Sequence, residues 1–216
     1  MANKWAKTAA ATSSAGVIAA TVVFLPAWEG MDTIARPDRI GTGHPVTYCY
    51  GMTGERGKVK AGTRFTKQQC DAMLAEELPK YLAQIEPCIK VSLPDKTKAS
   101  LLDAAWNAGP AAVCRSPMVA RMNEMKFTTG CNAFDGWYVR SDSQVRPGLI
   151  ARRAGEKHGD HRKSERALCL EGLKEGLTDV NRAAKADRSP IPAAPHFHWT
   201  DYVRNWWRVF LSKISL

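Results

Sequence analysis

Two acidic residues near the start of the chain have types and spacing suited to acid–base chemistry. Glu29 lies in Trp28-Glu29-Gly30, directly after a long apolar run, and Asp38 follows in Arg36-Pro37-Asp38. Cleaving a glycosidic bond needs two carboxyl groups in unlike surroundings, one protonated to donate to the leaving oxygen and one ionised. A glutamate beside Trp28 and other apolar surface holds its proton more tightly and suits the acid's role. Asp38, in a Gly-rich polar stretch, stays ionised more readily. Asp32 is a third acid close by. Such pairs occur by chance in most chains of this length, so the surrounding elements must decide what this one does.

Other chemistry is poorly represented. The chain has no Walker loop, dinucleotide fingerprint, G-x-S-x-G elbow or H-E-x-x-H motif. His44, His158, His161, His196 and His198 form no convincing metal set, so no metal or cofactor is expected. The net charge of +10 draws the protein to polyanions such as nucleic acid, anionic lipid or a bacterial envelope. Nucleic acid is not favoured, because no Lys/Arg-rich run with interleaved aromatics is present. Cys49, Cys70, Cys88, Cys114, Cys131 and Cys169 are dispersed, with no C-x-x-C pair. That pattern fits disulfides in an oxidising compartment better than zinc. Six cysteines allow 15 connectivities and the sequence does not choose among them; the set expected is Cys49–Cys70, Cys88–Cys114 and Cys131–Cys169.

The elements that must position the acids follow from the hydrophobic pattern. Residues 29–65, with alternating runs such as VTYCY, read as a small sheet with turns near Gly54 and Gly62. Thr66 and Gln69 form a capping box, and Cys70, Met73, Leu74, Leu78, Tyr81 and Leu82 then follow helical spacing, with Pro79 expected to kink the helix. Asp95 is placed to cap a helix carrying Leu101, Leu102 and Trp106 that ends at Gly109-Pro110. Ser116-Pro117 opens another. A short helix is expected near Cys131–Arg140, and a longer one over Leu149–Leu173, broken by the polar stretch HGDHRK.

The ends of the chain read differently. Lys4 and Lys7 precede an uncharged run from Thr8 to Trp28, just long enough to cross a bilayer as a helix. Its Ala, Thr, Ser and Gly make it a weak anchor, with the lysines favouring an N-inside orientation. A cleaved signal peptide is the alternative, and a buried core helix is less favoured because the run lacks a polar face. Residues 174–195 read as a polar linker. In residues 196–216, Trp199, Tyr202, Val203, Trp206 and Phe210 share one helical face. That suits either an amphipathic helix on an anionic membrane surface or a helix docked on the core.

The ordered motifs resemble glycoside hydrolase family 24, the phage-type lysozymes. The resemblance runs through Glu29, Asp38, and Thr47 in Thr47-Tyr48-Cys49-Tyr50-Gly51-Met52-Thr53-Gly54. It continues through Thr66-x-x-Gln69-Cys70, Trp106-Asn107-Ala108-Gly109, Ser116-Pro117-Met118-Val119, Gly148-Leu149-Ile150-Ala151-Arg152-Arg153 and Leu168-Cys169. It covers about residues 28–173. It implies an α+β, lysozyme-like fold, with a small antiparallel sheet lobe, a larger helical lobe and the active-site cleft between them. It further implies a muramidase that cuts the β-1,4 bond between N-acetylmuramic acid and N-acetylglucosamine by an inverting reaction. Glu29 would protonate the glycosidic oxygen, Asp38 would activate water, and Thr47 would help hold that water. Two departures stand out. Three residues within Thr42–Pro45 look inserted, which makes Thr42 the fallback for Thr47 and brings His44 toward the cleft. Gly155–Lys163 is a second insertion, expected to be a surface loop. His44 and Asn107 are the candidate substrate contacts. The alternative function is a non-catalytic, envelope-binding or membrane-active protein on the same scaffold.

The apolar run resembles the signal-anchor-release segments of some phage endolysins. The implied organisation is an anchor at 1–27, a catalytic domain at 28–173, a linker at 174–195 and an amphipathic tail at 196–216. The implied partners are peptidoglycan strands and, through the anchor, the host inner membrane. The expected protein is phage- or prophage-encoded and monomeric, and passes from the periplasmic face of that membrane into the periplasm. With Glu29 only four residues past Leu25, tethering would pin Glu29 at the lipid surface, away from Asp38 and Thr47. The segment has no cysteine, so control by thiol exchange within it is excluded. Collapsing the membrane potential of expressing cells is expected to release full-length chain, read by intact-mass spectrometry. Recovery of only chain cut after Ala27 would overturn this.

Overall fold

The computed structural model describes residues 14–38, 45–53, 59–141 and 143–187. His44, Thr42 and the tail at 196–216 lie outside these. The first compact unit ends at Leu177. Of the second, Thr178–Leu216, the described part is the last stretch of a helix ending at Asp187.

Chain order begins with helix α1 (Ser14–Phe24), a single turn α2 (Pro26–Glu29) and the strands β1 (Asp32–Pro37), β2 (Val46–Cys49) and β3 (Met52–Thr53). The three strands form one antiparallel sheet in the order β1-β2-β3. Helices α3 (Lys67–Ile85), α4 (Asp95–Ala108), α5 (Pro110–Cys114), α6 (Pro117–Asn123) and α7 (Phe127–Asn132) follow. A hairpin of β4 (Arg140–Ser141) and β5 (Gln144–Val145) then leads to α8 (Pro147–Ala154) and α9 (Glu165–Asp187). A small sheet beside a larger helical body is the α+β arrangement expected.

Local chemistry explains most of the boundaries. The Thr66 hydroxyl accepts from the Gln69 amide at 3.1 Å, and the Gln69 side chain accepts from the Thr66 amide at 2.8 Å, which completes the capping box that opens α3. Ser116 caps α6 with Pro117 at its first position. Pro79 does not end α3. It lies on the exposed face of the helix, which runs through it from Lys67 to Ile85. Asp95 is the first residue of α4 and not its cap, which is Pro94. The helix expected at Cys131–Arg140 lies earlier, as α7. Gly136 and Tyr138 adopt positive φ, 77° and 52°, which a continuing helix does not allow. α9 begins only after the HGDHRK stretch and runs on through residues 174–187, so the first part of the predicted linker is helical.

The N-terminal segment behaves differently from the less favoured status given to a core helix. In this structure α1 packs against α3 and α4, burying Val17, Thr21 and Phe24, with Leu25 fully buried behind it. A polar face is unnecessary because Thr21 donates to its own Val17 carbonyl at 2.8 Å. Val23 is 83% exposed on the far side. Among the described residues, no helix is long and apolar enough to cross a membrane.

The disulfides are Cys49–Cys70, Cys88–Cys114 and Cys131–Cys169, the pairing expected. The first ties the sheet to α3, the second ties the turn after α3 to α5, and the third ties α7 to α9. The last closes the longest loop, 38 residues. Replacing Cys131 and Cys169 together by Ser is expected to cost about 4 kcal/mol on chain-entropy grounds. Urea unfolding would read this, and an unchanged midpoint would refute it.

Candidate active site

Glu29 ends the single turn α2, which Pro26 opens and Gly30, at φ 66°, closes into β1. Asp38 follows β1, and its amide donates to the Pro45 carbonyl at 2.7 Å, closing the loop between β1 and β2. Thr47 lies on β2 opposite Arg36, whose carbonyl its hydroxyl reaches at 3.3 Å. All three side chains line one cleft of about 1450 Å³. Trp28, Tyr81, Trp106 and Tyr138 supply aromatic surface in its walls, suited to stacking on sugar faces.

Glu29 is held from two sides. Arg152 Nη1 donates to its Oε1 at 2.5 Å. A Cβ built on Gly51 would stand 2.6 Å from Oε2, so the backbone of the turn between β2 and β3 approaches too closely for a side chain. Gly51 also sits at φ 71°. The Glu29 side chain is 16% exposed. Burial raises its pKa, and the nearby Asp103 carboxylate adds to the rise, while the charge and hydrogen bond of Arg152, with the more distant Arg153, oppose it. The net direction is upward, as a proton donor requires.

Arg152 is itself the centre of a buried cluster. Its Nε and Nη2 reach Asp103 Oδ2 and Oδ1 at 2.9 and 3.0 Å, and its Nε lies 3.4 Å from Glu165 Oε1. Burial disfavours its charge, but Asp103, Glu29 and Glu165 outweigh that and keep it cationic. Arg153, wholly buried, pairs with Glu165, packs over the Trp137 ring at 5.0 Å and donates to Asn107 Oδ1 at 2.6 Å. Asn107 therefore faces the cleft while its amide oxygen is tied to this cluster. Sequence reasoning quoted the Arg152-Arg153 motif but gave it no role. It quoted Gly51 within the Thr47–Gly54 motif without a role, and missed Asp103 and Glu165 altogether. A signal for Gly51 existed in Tyr50-Gly51, where a strand motif contains a glycine without an obvious turn partner.

Residues 26–156 match the phage lysozyme family. The chain belongs to that family. Its similarity extends to the SAR-endolysin of Escherichia phage 933W, 34% identical over 142 residues, which spans 62% of this chain and 78% of that protein. The SAR-endolysin of Enterobacteria phage PA-2 is 29% identical over 144 residues, 67% of this chain and 78% of its own. Among solved structures, the muramidase domain of SpmX from Asticaccaulis excentricus aligns with TM-score 0.56 at 25% identity, over 73% of this chain and 96% of that one. The active form of P1 phage endolysin Lyz aligns with TM-score 0.59 at 22% identity, over 77% and 92%, a likeness of fold. The lysozyme-like fold is thus that of the family.

The cluster leaves one carboxyl unusually reluctant to lose its proton. Glu165 is fully buried beside Asp103. Burial first, then the adjacent Asp103, push its pKa from 4.5 up to about 8, against Arg153 and Arg152. The folded chain therefore binds more protons than the unfolded chain between those values. Stability should fall as pH rises from 4.5 to about 8. Glu29 contributes in the same direction. Carboxyls with lowered pKa, such as Asp160 and Glu171, lose their stabilising charge only at lower pH. Thermal melts of Glu165→Gln should show a flatter pH dependence across that window than the parent, and parallel curves would count against it.

Proposed function

We propose that this phage lysozyme is a muramidase endolysin that cuts the β-1,4 bond between N-acetylmuramic acid and N-acetylglucosamine, with Glu29 as general acid. The observation that carries the reading is the meeting of Glu29, Asp38 and Thr47 in one aromatic-walled cleft, with only Glu29 pressed into a buried ion cluster. The glycosidic oxygen takes the Glu29 proton as the bond to the anomeric carbon breaks. Arg152, already within 2.5 Å, stabilises the carboxylate that remains. A water, oriented by Thr47, attacks the opposite face of the sugar and passes its proton to Asp38, inverting the anomeric centre. Asn107 is the proposed substrate contact from the helical wall, and His44 from the loop after Asp38.

The same reading extends to location. Residues 1–27 tether the chain to the host inner membrane on its periplasmic side. After release, residues 14–25 fold into the core as α1. The tail at 196–216 is proposed to touch anionic lipid. The protein works as a monomer on peptidoglycan strands.

Glu29→Gln is expected to slow turnover of purified peptidoglycan by about a hundredfold or more, the usual contribution of a positioned acid. Asp38→Asn should do likewise. Mass analysis of the fragments should show hydrated reducing ends, and proton NMR of early product should show the inverted anomer. Peptide-bond cleavage, or a fully active Glu29→Gln protein, would sink the assignment.

A further inference from the structure

The segment Gly155–Lys163, read from the resemblance as an inserted surface loop, also makes contacts with the cleft. It joins α8, which carries Arg152 and Arg153, to α9, which begins with Glu165. On the way it grips the residue before Glu29. Trp28 Nε1 donates to the Lys163 carbonyl at 3.1 Å, and the Arg162 guanidinium lies 4.1 Å from the centre of the Trp28 ring. Both Trp28 and Arg162 line the active-site cleft.

Arg162 is braced in that position. Asp160 accepts from its Nε at 3.1 Å, from its Nη2 at 2.8 Å and from its backbone amide at 2.8 Å. Asp160 is anchored in turn: its amide donates to the Gly155 carbonyl at 2.9 Å, and a Cβ on Gly155 would stand 2.8 Å from the Asp160 Cβ. The direct Asp160–Arg162 pair, spread over three hydrogen bonds, holds the guanidinium plane for stacking on an indole face.

We infer that Arg162, braced by Asp160 and aided by the Lys163 carbonyl, is a positioning residue for the general acid: the insertion clamps Trp28 and so seats Glu29 in the cleft. The need for a clamp follows from the local backbone. Glu29 is the last helical residue before a glycine at positive φ, and helix ends fray. Arg152 reaches Glu29 at the carboxyl end only. Trp28 is the adjacent side chain large enough to be held from outside, and the insertion holds it by ring face and by indole N–H. A placement error of about 1 Å in a catalytic group costs up to about a hundredfold in rate.

The inference rests on Glu29 being the acid, and the test separates the two. Full-length chain is assayed on soluble peptidoglycan oligomers as the parent and as Glu29→Gln, Arg162→Ala, Arg162→Lys and Asp160→Asn, with melting temperatures alongside. Arg162 is half-exposed, so its truncation should leave melting nearly unchanged. Arg162→Ala should lower kcat about tenfold or more with KM nearly constant. Arg162→Lys keeps a cation over the ring and should restore much of the loss, with Asp160→Asn in between. A rise in KM with kcat intact would make Arg162 a substrate contact and overturn the clamp. So would an unchanged kcat, or a loss that tracks melting across the variants. An active Glu29→Gln would instead remove the acid assignment beneath it.

Discussion

One guanidinium organises the cleft. Arg152 touches Glu29 from α2, Asp103 from α4 and Glu165 from α9, while itself standing on α8. Four elements therefore converge on a planar group with five donors, which explains why arginine and not lysine is required there. Asp103 and Glu165 are fully buried, so their desolvation is offset only while the guanidiniums remain in place. Removing Arg152 would leave buried carboxyls uncompensated, a change that typically costs about 3–5 kcal/mol. The cluster holds two guanidiniums and three carboxyls, Glu29 included. One proton on the acids balances it, and both Glu29 and Glu165 are biased upward. The cluster that supports the fold thus also biases the cleft carboxyl toward its protonated form.

Much of this was legible before any coordinates, and the limits were physical. Helix starts were readable where a side chain itself makes the cap, as at Thr66 and Ser116. The small sheet was readable from alternation in Val46–Cys49. Helix ends set by backbone conformation were not: Tyr138 adopts a positive φ that its residue type does not announce. Glu29, Asp38 and Thr47 were singled out together, and the fold places them around one cleft. Asp103, Arg152 and Glu165 are far apart in the chain, and only tertiary packing makes them a unit. Their signal was indirect: charged residues at positions where the helical pattern calls for apolar ones. The insertion after α8 looked like a surface loop because it is polar. Polarity cannot distinguish a solvated arginine from one stacked on an indole.

The N-terminal segment shows why one pattern supported two answers. A run without charge or polar face satisfies a bilayer, and it also satisfies a core if one stripe packs. Residues 14–25 do the second here, through Val17, Thr21, Phe24 and Leu25. Thr21 is compatible with either because its hydroxyl bonds within its own helix, at 2.8 Å to Val17, and carries that bond wherever the helix goes. Val22 and Val23 remain exposed, an apolar surface that water disfavours and lipid would not. The helix therefore docks against a standing cost. Its docking rests on Val17, Thr21 and Phe24 along its length, and beyond its end on Leu25, sealed in the core, and Trp28, held by the loop before α9. Glu29 follows Trp28 directly. On the proposed tethered state, the contacts that complete the core and those that seat the acid form in the same step. On that proposal, an undocked helix would leave Asp38 and Thr47 without Glu29 beside them.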